Sequence, residues 1–165
     1  MTRWLTADEG RAWLAYIDLS TLLDDYLDRQ LRRDAGITHA DYALLTRLSS
    51  APDRTLGMSQ LAASLKFTRS RLTHAVSRLE QAGYVQRRGH PTDRRGQLAV
   101  LTEHGFALLT RAAPGHVEAV RRVIFDVLTP EQVRQFTEIA EAIIHALIGT
   151  DGESAYLADH PWRRR

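Results

Sequence analysis

The sequence predicts a mainly helical chain of α+β class, with one pair of short strands set between helices. Three observations carry that reading. Apolar residues recur at three- and four-residue spacing over most of the 165 positions. The spacing switches to two only once, between Tyr84 and Leu101. The composition, 44% hydrophobic and 25% charged with five prolines and ten glycines, is that of an ordinary globular chain, which excludes collagen-like, low-complexity and wholly disordered classes. No apolar run approaches the roughly 18 to 20 residues of a membrane helix. The segment Met1–Glu9 lacks the apolar stretch of a signal peptide, so a cytoplasmic location is expected. The absence of cysteine excludes disulfides, thiolate metal sites, cysteine nucleophiles and thiol redox switches.

The elements follow in order. Thr6-Ala7-Asp8-Glu9 has the capping-box form, and Trp13, Leu14, Ile17, Leu22, Leu23, Tyr26, Leu27 and Leu31 continue at helical spacing. Gly36 ends that first helix, expected over 6–35. A second helix starts at Thr38, carries Tyr42, Leu44, Leu45 and Leu48, and stops at Ala51-Pro52. A short third helix is expected from Met58 to Lys66, joined through Phe67-Thr68 to a fourth over about 68–82 with Leu72, Ala75, Val76 and Leu79 as its apolar positions. Tyr84–Arg88 and Gln97–Leu101 read as a two-stranded hairpin, about 84–101, with a charged turn between them. Thr102 caps a long helix towards Leu128, with an irregularity expected at Pro114-Gly115. Thr129-Pro130-Glu131-Gln132 places a hydroxyl N-cap, a proline at N1 and Gln at N3, and the last helix is expected to end at Gly149. A loosely ordered tail, 149–165, would follow, with Trp162 and three arginines.

Charge is distributed unevenly. The net charge is +2, yet Lys66 to Arg95 holds eight basic residues against Glu80 and Asp93. That stretch is +6 and the remainder −4. A basic lobe on a mildly acidic body is the electrostatic footprint of a nucleic-acid binder. At about 100° per residue, Leu72, Val76 and Leu79 form one seam of the fourth helix. Ser70, His74, Ser77 and Gln81 fall opposite, flanked by Arg71, Thr73 and Arg78. Donors, acceptors and guanidinium groups without large apolar residues are what a helix needs to read base edges in a major groove. Two short helices with a tight joint match a helix-turn-helix, whose second helix enters the groove.

The hairpin supplies further contacts. Arg94 and Arg95 at its tip suit an adjacent minor groove, Asp93 suits an orienter of Arg95, and Arg87 and Arg88 suit phosphate clamps. Each assignment has a plainer counterpart. His74 could be solvated, Ser70 and Thr73 could cap or bond back to their own helix, and Arg78 could pair with an acid, although acids nearby in sequence are scarce. Among the histidines no two stand three or four apart, so no metal residue is assigned. Neither G-x-S-x-G, H-E-x-x-H, a P-loop nor G-x-G-x-x-G occurs, and neither catalysis nor a cofactor is expected.

The strings Arg71–Val85 (ending RLEQAGYV), Asp93-Arg94-Arg95-Gly96 and Leu101-Thr102-Glu103-His104-Gly105, in that order and spacing, resemble the multiple-antibiotic-resistance regulator (MarR) family over roughly residues 6 to 148. The resemblance implies a winged helix-turn-helix: a DNA-binding lobe over 38–101, with long N-terminal (6–35) and C-terminal (102–148) helices forming a dimerisation region. It implies a homodimeric, sequence-specific transcriptional regulator, a repressor by family habit, that binds an inverted-repeat operator in double-stranded DNA. Members often take small anionic or phenolic effectors, for which Trp13, Tyr16, His39 and Tyr42 are the candidate lining residues, with a core or interface role as the alternative for Trp13 and Tyr42. Some members sense zinc, which here would need histidines and carboxylates distant in sequence to converge. Gly57 departs from the hydroxyl N-cap common before the third helix, and glycine is tolerated there. The alternatives from other classes are an architectural DNA binder with little sequence preference and a protein-interaction module on the same scaffold.

Overall fold

The computed structural model describes residues 1–91 and 96–159, with side chains described to residue 148. The chain divides into two compact units, Met1–Ala119 and Val120–Arg165.

In the first unit, α1 (Ala7–Ala35) begins at a complete capping box: Thr6 Oγ1 accepts from Glu9 N, and Glu9 Oε2 accepts from Thr6 N at 2.7 Å. It ends at Gly36, whose φ of 69° lies in the left-handed region that a glycine enters without a Cβ penalty. A second capping box, Thr38 with Asp41, opens α2 (His39–Ser49). A single 3₁₀ turn, Pro52–Arg54, then leads into β1 (Thr55–Gly57), α3 (Met58–Leu65) and α4 (Arg69–Gln81). The strands β2 (Val85–Gly89) and β3 (Gln97–Leu101) follow, and α5 (Glu103–Val123) starts behind them.

The expected two-stranded hairpin is one side of a three-stranded antiparallel sheet of order β1-β3-β2. Thr55 pairs with Val100 and Val85 with Leu101. The short strand β1 was not foreseen, because three residues show no period; it forms because β3 has a second edge whose N–H and C=O groups need partners. Two smaller corrections concern helix ends. Helix α3 stops at Leu65, and Lys66 caps it in the left-handed conformation (φ 53°). Helix α5 passes through Pro114 without ending and stops at Val123, before a 3₁₀ turn at Phe125–Val127.

The core of this unit is one cluster. Leu31 of α1, Leu44, Leu45 and Leu48 of α2, Leu61 of α3 and Leu72 and Val76 of α4 are fully buried. Val85, Ala99 and Leu101 of the sheet and Leu108, Leu109 and Ala112 of α5 close it. Each leucine removed from water contributes about 1.5–3 kcal/mol, so the two helices of the helix-turn-helix are fixed by burial rather than by their own propensity.

The second unit is dominated by α6 (Pro130–Asp159). Its start is the foreseen box: Thr129 N donates to Gln132 Oε1 at 2.9 Å and Gln132 N to Thr129 Oγ1 at 3.2 Å. The helix does not stop at Gly149 but continues to Asp159; Trp162 and the three terminal arginines lie outside the described residues. Among the described residues no helix is long and apolar enough to cross a membrane.

Candidate nucleic-acid interface

Three residues, Lys66, Phe67 and Thr68, join α3 to α4. Thr68 Oγ1 accepts from Arg71 N at 3.2 Å, so the start of α4 is capped by the last residue of the joint. The seam facing inward is Leu72, Ala75, Val76 and Leu79, all buried. Ser70, Arg71, Thr73, His74 and Arg78 are exposed, as the helical arithmetic requires, whereas Ser77 is half-buried.

Individual side chains are constrained in different ways. The Arg71 guanidinium lies over the Phe67 ring, 4.0 Å from its centroid, a cation–π contact that limits its rotamers. Thr73 Oγ1 donates to Arg69 O at 2.9 Å, the back-bonded state, while its side chain stays on the exposed face. Arg78 has an acid partner after all. Its Nη2 lies 2.5 Å from Oδ1 of Asp41, a residue far upstream in sequence at the first turn of α2.

The base of the hairpin is tied to α4 through Glu80. Its Oε1 accepts from Arg87 N at 2.9 Å and its Oε2 from Arg87 Nε at 2.8 Å. These bonds hold the Glu80 carboxyl below the ordinary glutamate range. Arg87 is therefore half-buried and engaged, while Arg88 is exposed and meets the neutral Gln86 amide at 3.1 Å. Two arginines adjacent in sequence thus differ in the fold. Asp93, Arg94 and Arg95 lie outside the described residues.

Two clefts border α4. One, about 930 Å³, is lined by Gly57, Met58 and Gln60 at the start of α3, Arg69 and Thr73 of α4, and Gly89 and His90 of the hairpin. Arg69 was missed as a site residue because the wheel sets it about 60° from the seam; in the first turn of α4 it is nonetheless exposed. The other, about 650 Å³, is lined by Asp24, Asp28 and Arg32 of α1, His39 of α2, and Arg71, His74 and Arg78 of α4.

The four residues expected to line an effector site fall into two pairs, Trp13 with Tyr16 and His39 with Tyr42, the latter two both against the His116 ring. His39 lines the second cleft, with Nδ1 2.7 Å from Asp24 Oδ1 and its backbone N donating to Asp28 Oδ1 at 2.9 Å. Tyr42 is half-buried against His116, ring centroids 4.4 Å apart. Trp13 and Tyr16 stack on each other at 5.9 Å and are both more than half exposed. Among the described residues no three histidine or carboxylate groups are placed to hold a metal ion.

The comparisons with known proteins agree with this geometry. A family model described as the MarR family matches residues 35–96, the span from the end of α1 to the hairpin tip. The chain is 33% identical over 132 residues to the transcriptional regulator PecS of Dickeya dadantii, covering 79% of this chain and 74% of that protein. The chain belongs to the MarR family. Among solved structures of MarR members, it resembles Sco3205 of Streptomyces coelicolor, crystallised in complex with DNA, with a TM-score of 0.86 and 51% identity over 92% of this chain and 95% of that one. It also resembles AbsC of the same organism, with a TM-score of 0.82 and 38% identity over 88% of this chain and 98% of that one. As a MarR-family winged helix-turn-helix, the protein is a DNA-binding transcriptional regulator rather than an enzyme.

Proposed function

We propose that the protein acts in the cytoplasm as a homodimeric repressor that reads an inverted-repeat operator and is released by a small ligand. The observation that carries DNA readout is the outer face of α4: exposed Ser70, Arg71, Thr73, His74 and Arg78 on a helix whose opposite face is locked into the core. In this reading α4 enters the major groove, with Ser70, Thr73, His74 and the half-buried Ser77 towards base edges. Arg69 and Arg88 engage phosphates, Arg87 supports the hairpin base, and Arg94 and Arg95, oriented by Asp93, reach the neighbouring minor groove.

Dimerisation is supported by apolar residues left in solvent on both long helices. On α1, Leu14 is 64% and Leu22 67% exposed; on α6, Ile139 is 60% exposed. Apolar surface of that extent on a regulator marks an interface, and a two-fold dimer sets its half-sites about one helical turn apart. Ligand response is supported by the second cleft, where, among the described residues, Arg71 is the cation not paired with an acid and suits an anionic or phenolic molecule, while Asp24 and Asp28 hold His39 and Arg32 in its wall. A ligand there acts by its differential affinity for the DNA-competent spacing of the two reading helices.

The test is selection of duplexes from a random pool, followed by anisotropy titration of the selected duplex and a scrambled one at several salt concentrations. Preference of roughly 10³ or more for the selected duplex is expected. Equal, steeply salt-dependent binding to both would establish an architectural binder instead, and no binding to either would overturn the DNA reading. Addition of salicylate as a phenolic anion should weaken binding to the selected duplex; indifference to a panel of such anions would remove the effector part alone.

A further inference from the structure

We propose that Asp41, outside the reading helix, is a specificity-determining residue that acts by positioning Arg78. The proposal rests on α4 being the DNA-reading helix, and it adds how one of its arginines is made directional.

Asp41 is 3% exposed, yet the side chain it faces is open: the Arg78 side chain keeps 56% of its accessible surface. A buried carboxylate is costly unless it is paired and hydrogen-bonded, and here both oxygens are used. Oδ1 accepts from Arg78 Nη2 at 2.5 Å. Oδ2 accepts from Thr38 N at 3.1 Å, while Asp41 N donates to Thr38 Oγ1 at 3.0 Å. The carboxylate therefore has no freedom to swing. The capping box that opens α2 doubles as the socket for a guanidinium on α4.

The socket itself is anchored. His39, next in chain to Thr38, donates its backbone N–H to Asp28 Oδ1 of α1 at 2.9 Å, and Asp28 Oδ2 accepts from Arg32 Nε at 2.5 Å. The Arg78 guanidinium is thus referenced to α1 and α2 as well as to its own helix. Arginine presents five N–H donors in a rigid fork. One is committed to Asp41, and the side chain stays more than half exposed at the last turn of α4.

Two consequences follow for recognition. Neutralised by Asp41, Arg78 adds little to sequence-independent attraction for phosphate, which depends on uncompensated charge. Held in one orientation, it retains directional hydrogen bonds, which reward only a correctly placed acceptor. Both effects raise the ratio of specific to random binding.

The test uses full-length protein and a duplex selected by the wild type from a random pool. Asp41→Asn keeps an acceptor for Thr38 N and removes the charge. It should leave the thermal transition near that of the wild type, raise affinity for scrambled duplex with a salt slope about 0.9 more negative, and lower the selected-to-scrambled ratio about tenfold. Arg78→Lys keeps the charge without the fork and should lower the same ratio while leaving Asp41 untouched, so the proposal is tested even if the asparagine variant folds poorly. In an Arg78→Ala background, Asp41→Asn should cause no further fall in the ratio.

An unchanged ratio in Asp41→Asn or in Arg78→Lys, with Arg78→Ala still lowering it, would make the pair a structural bridge and overturn the proposal. If Arg78→Ala leaves the ratio unchanged as well, the assignment of Arg78 to the DNA surface falls with it.

Discussion

Gly105→Ala is the most demanding test of how the sheet, α4 and α5 are locked together. Gly105 is buried in the first turn of α5, where Thr102 Oγ1 accepts its N–H at 3.0 Å. A Cβ there would stand 2.2 Å from Tyr84 O, 2.7 Å from Leu101 Cδ1 and 3.0 Å from Tyr84 C. Ordinary contact begins near 3.4 Å, so backbone must move by about 3.4 − 2.2 = 1.2 Å. The Tyr84 carbonyl cannot yield freely, since Thr102 N donates to it at 3.1 Å, the Thr102 hydroxyl is shared between it at 3.1 Å and Gly83 O at 2.7 Å, and Tyr84 N donates to Leu79 O at 2.9 Å. Forcing a methyl into such a site costs about 1–3 kcal/mol, and losing one or two of those hydrogen bonds costs about 1 kcal/mol each. The higher helix propensity of alanine returns about 1 kcal/mol. The net loss is about 1–4 kcal/mol. Urea unfolding followed by circular dichroism, at one fixed protein concentration because association changes apparent stability, should show the midpoint falling by about 0.5–2 M at the m-values usual for small domains. Gly10→Ala is the control, because a Cβ at that position in α1 meets nothing within 4 Å and should stabilise by up to about 1 kcal/mol. A Gly105→Ala midpoint within experimental error of the wild type would refute the close approach of α5 to the start of β2.

Thr129→Ala removes the side-chain half of the box that opens α6 and should cost about 1 kcal/mol, read as a loss of thermal stability that Thr129→Ser largely restores. Arg88→Ala should reduce the salt slope of DNA binding by about one contact; Arg87→Ala, whose charge Glu80 already compensates, should reduce it less while lowering thermal stability, and equal slopes would contradict the pairing. Burial and the neighbouring His39 hold the His116 imidazole below the ordinary histidine value of about 6.5. The unfolded chain therefore binds the proton first, and stability should fall as pH drops below about 6.5. Asp28 and Glu80, both held below the ordinary carboxylate range by their arginine partners, stabilise the fold above that range and lose this contribution as pH falls through their folded-state values. His116→Gln should abolish the upper limb of the acid titration and leave the lower one; two unchanged limbs would rule out His116 as the source.

Local signals carried most of the fold. The boxes at Thr6–Glu9 and Thr129–Gln132 are complete within four residues, and both formed as their spacing requires. The seam of α4 was equally legible, because a 100° rotation per residue is a property of the backbone alone. What escaped was set by partners distant in sequence or by tertiary context. The strand β1 exists only against β3, more than forty residues later. Helix α6 passes the Gly149 stop signal and a second glycine, Gly152, because each glycine costs a helix about 1 kcal/mol, which a long helix can absorb.

The same distinction decides how the basic lobe should be understood. A running count of charge treats each arginine between Lys66 and Arg95 as an equal source of attraction for DNA. In the folded protein Arg87 is compensated by Glu80 and Arg78 by Asp41, and Arg71 is laid on Phe67, while Arg69 and Arg88 stand exposed. Compensated, fixed guanidinium groups favour geometry-dependent contacts, and exposed ones favour attraction to any phosphate. A regulator needs both, but in a ratio that leaves random DNA weakly held. The acids that set this ratio lie one on α2 and one on α4, so substitutions that never touch DNA, Asp41→Asn first among them, should change what the protein distinguishes more than how tightly it binds.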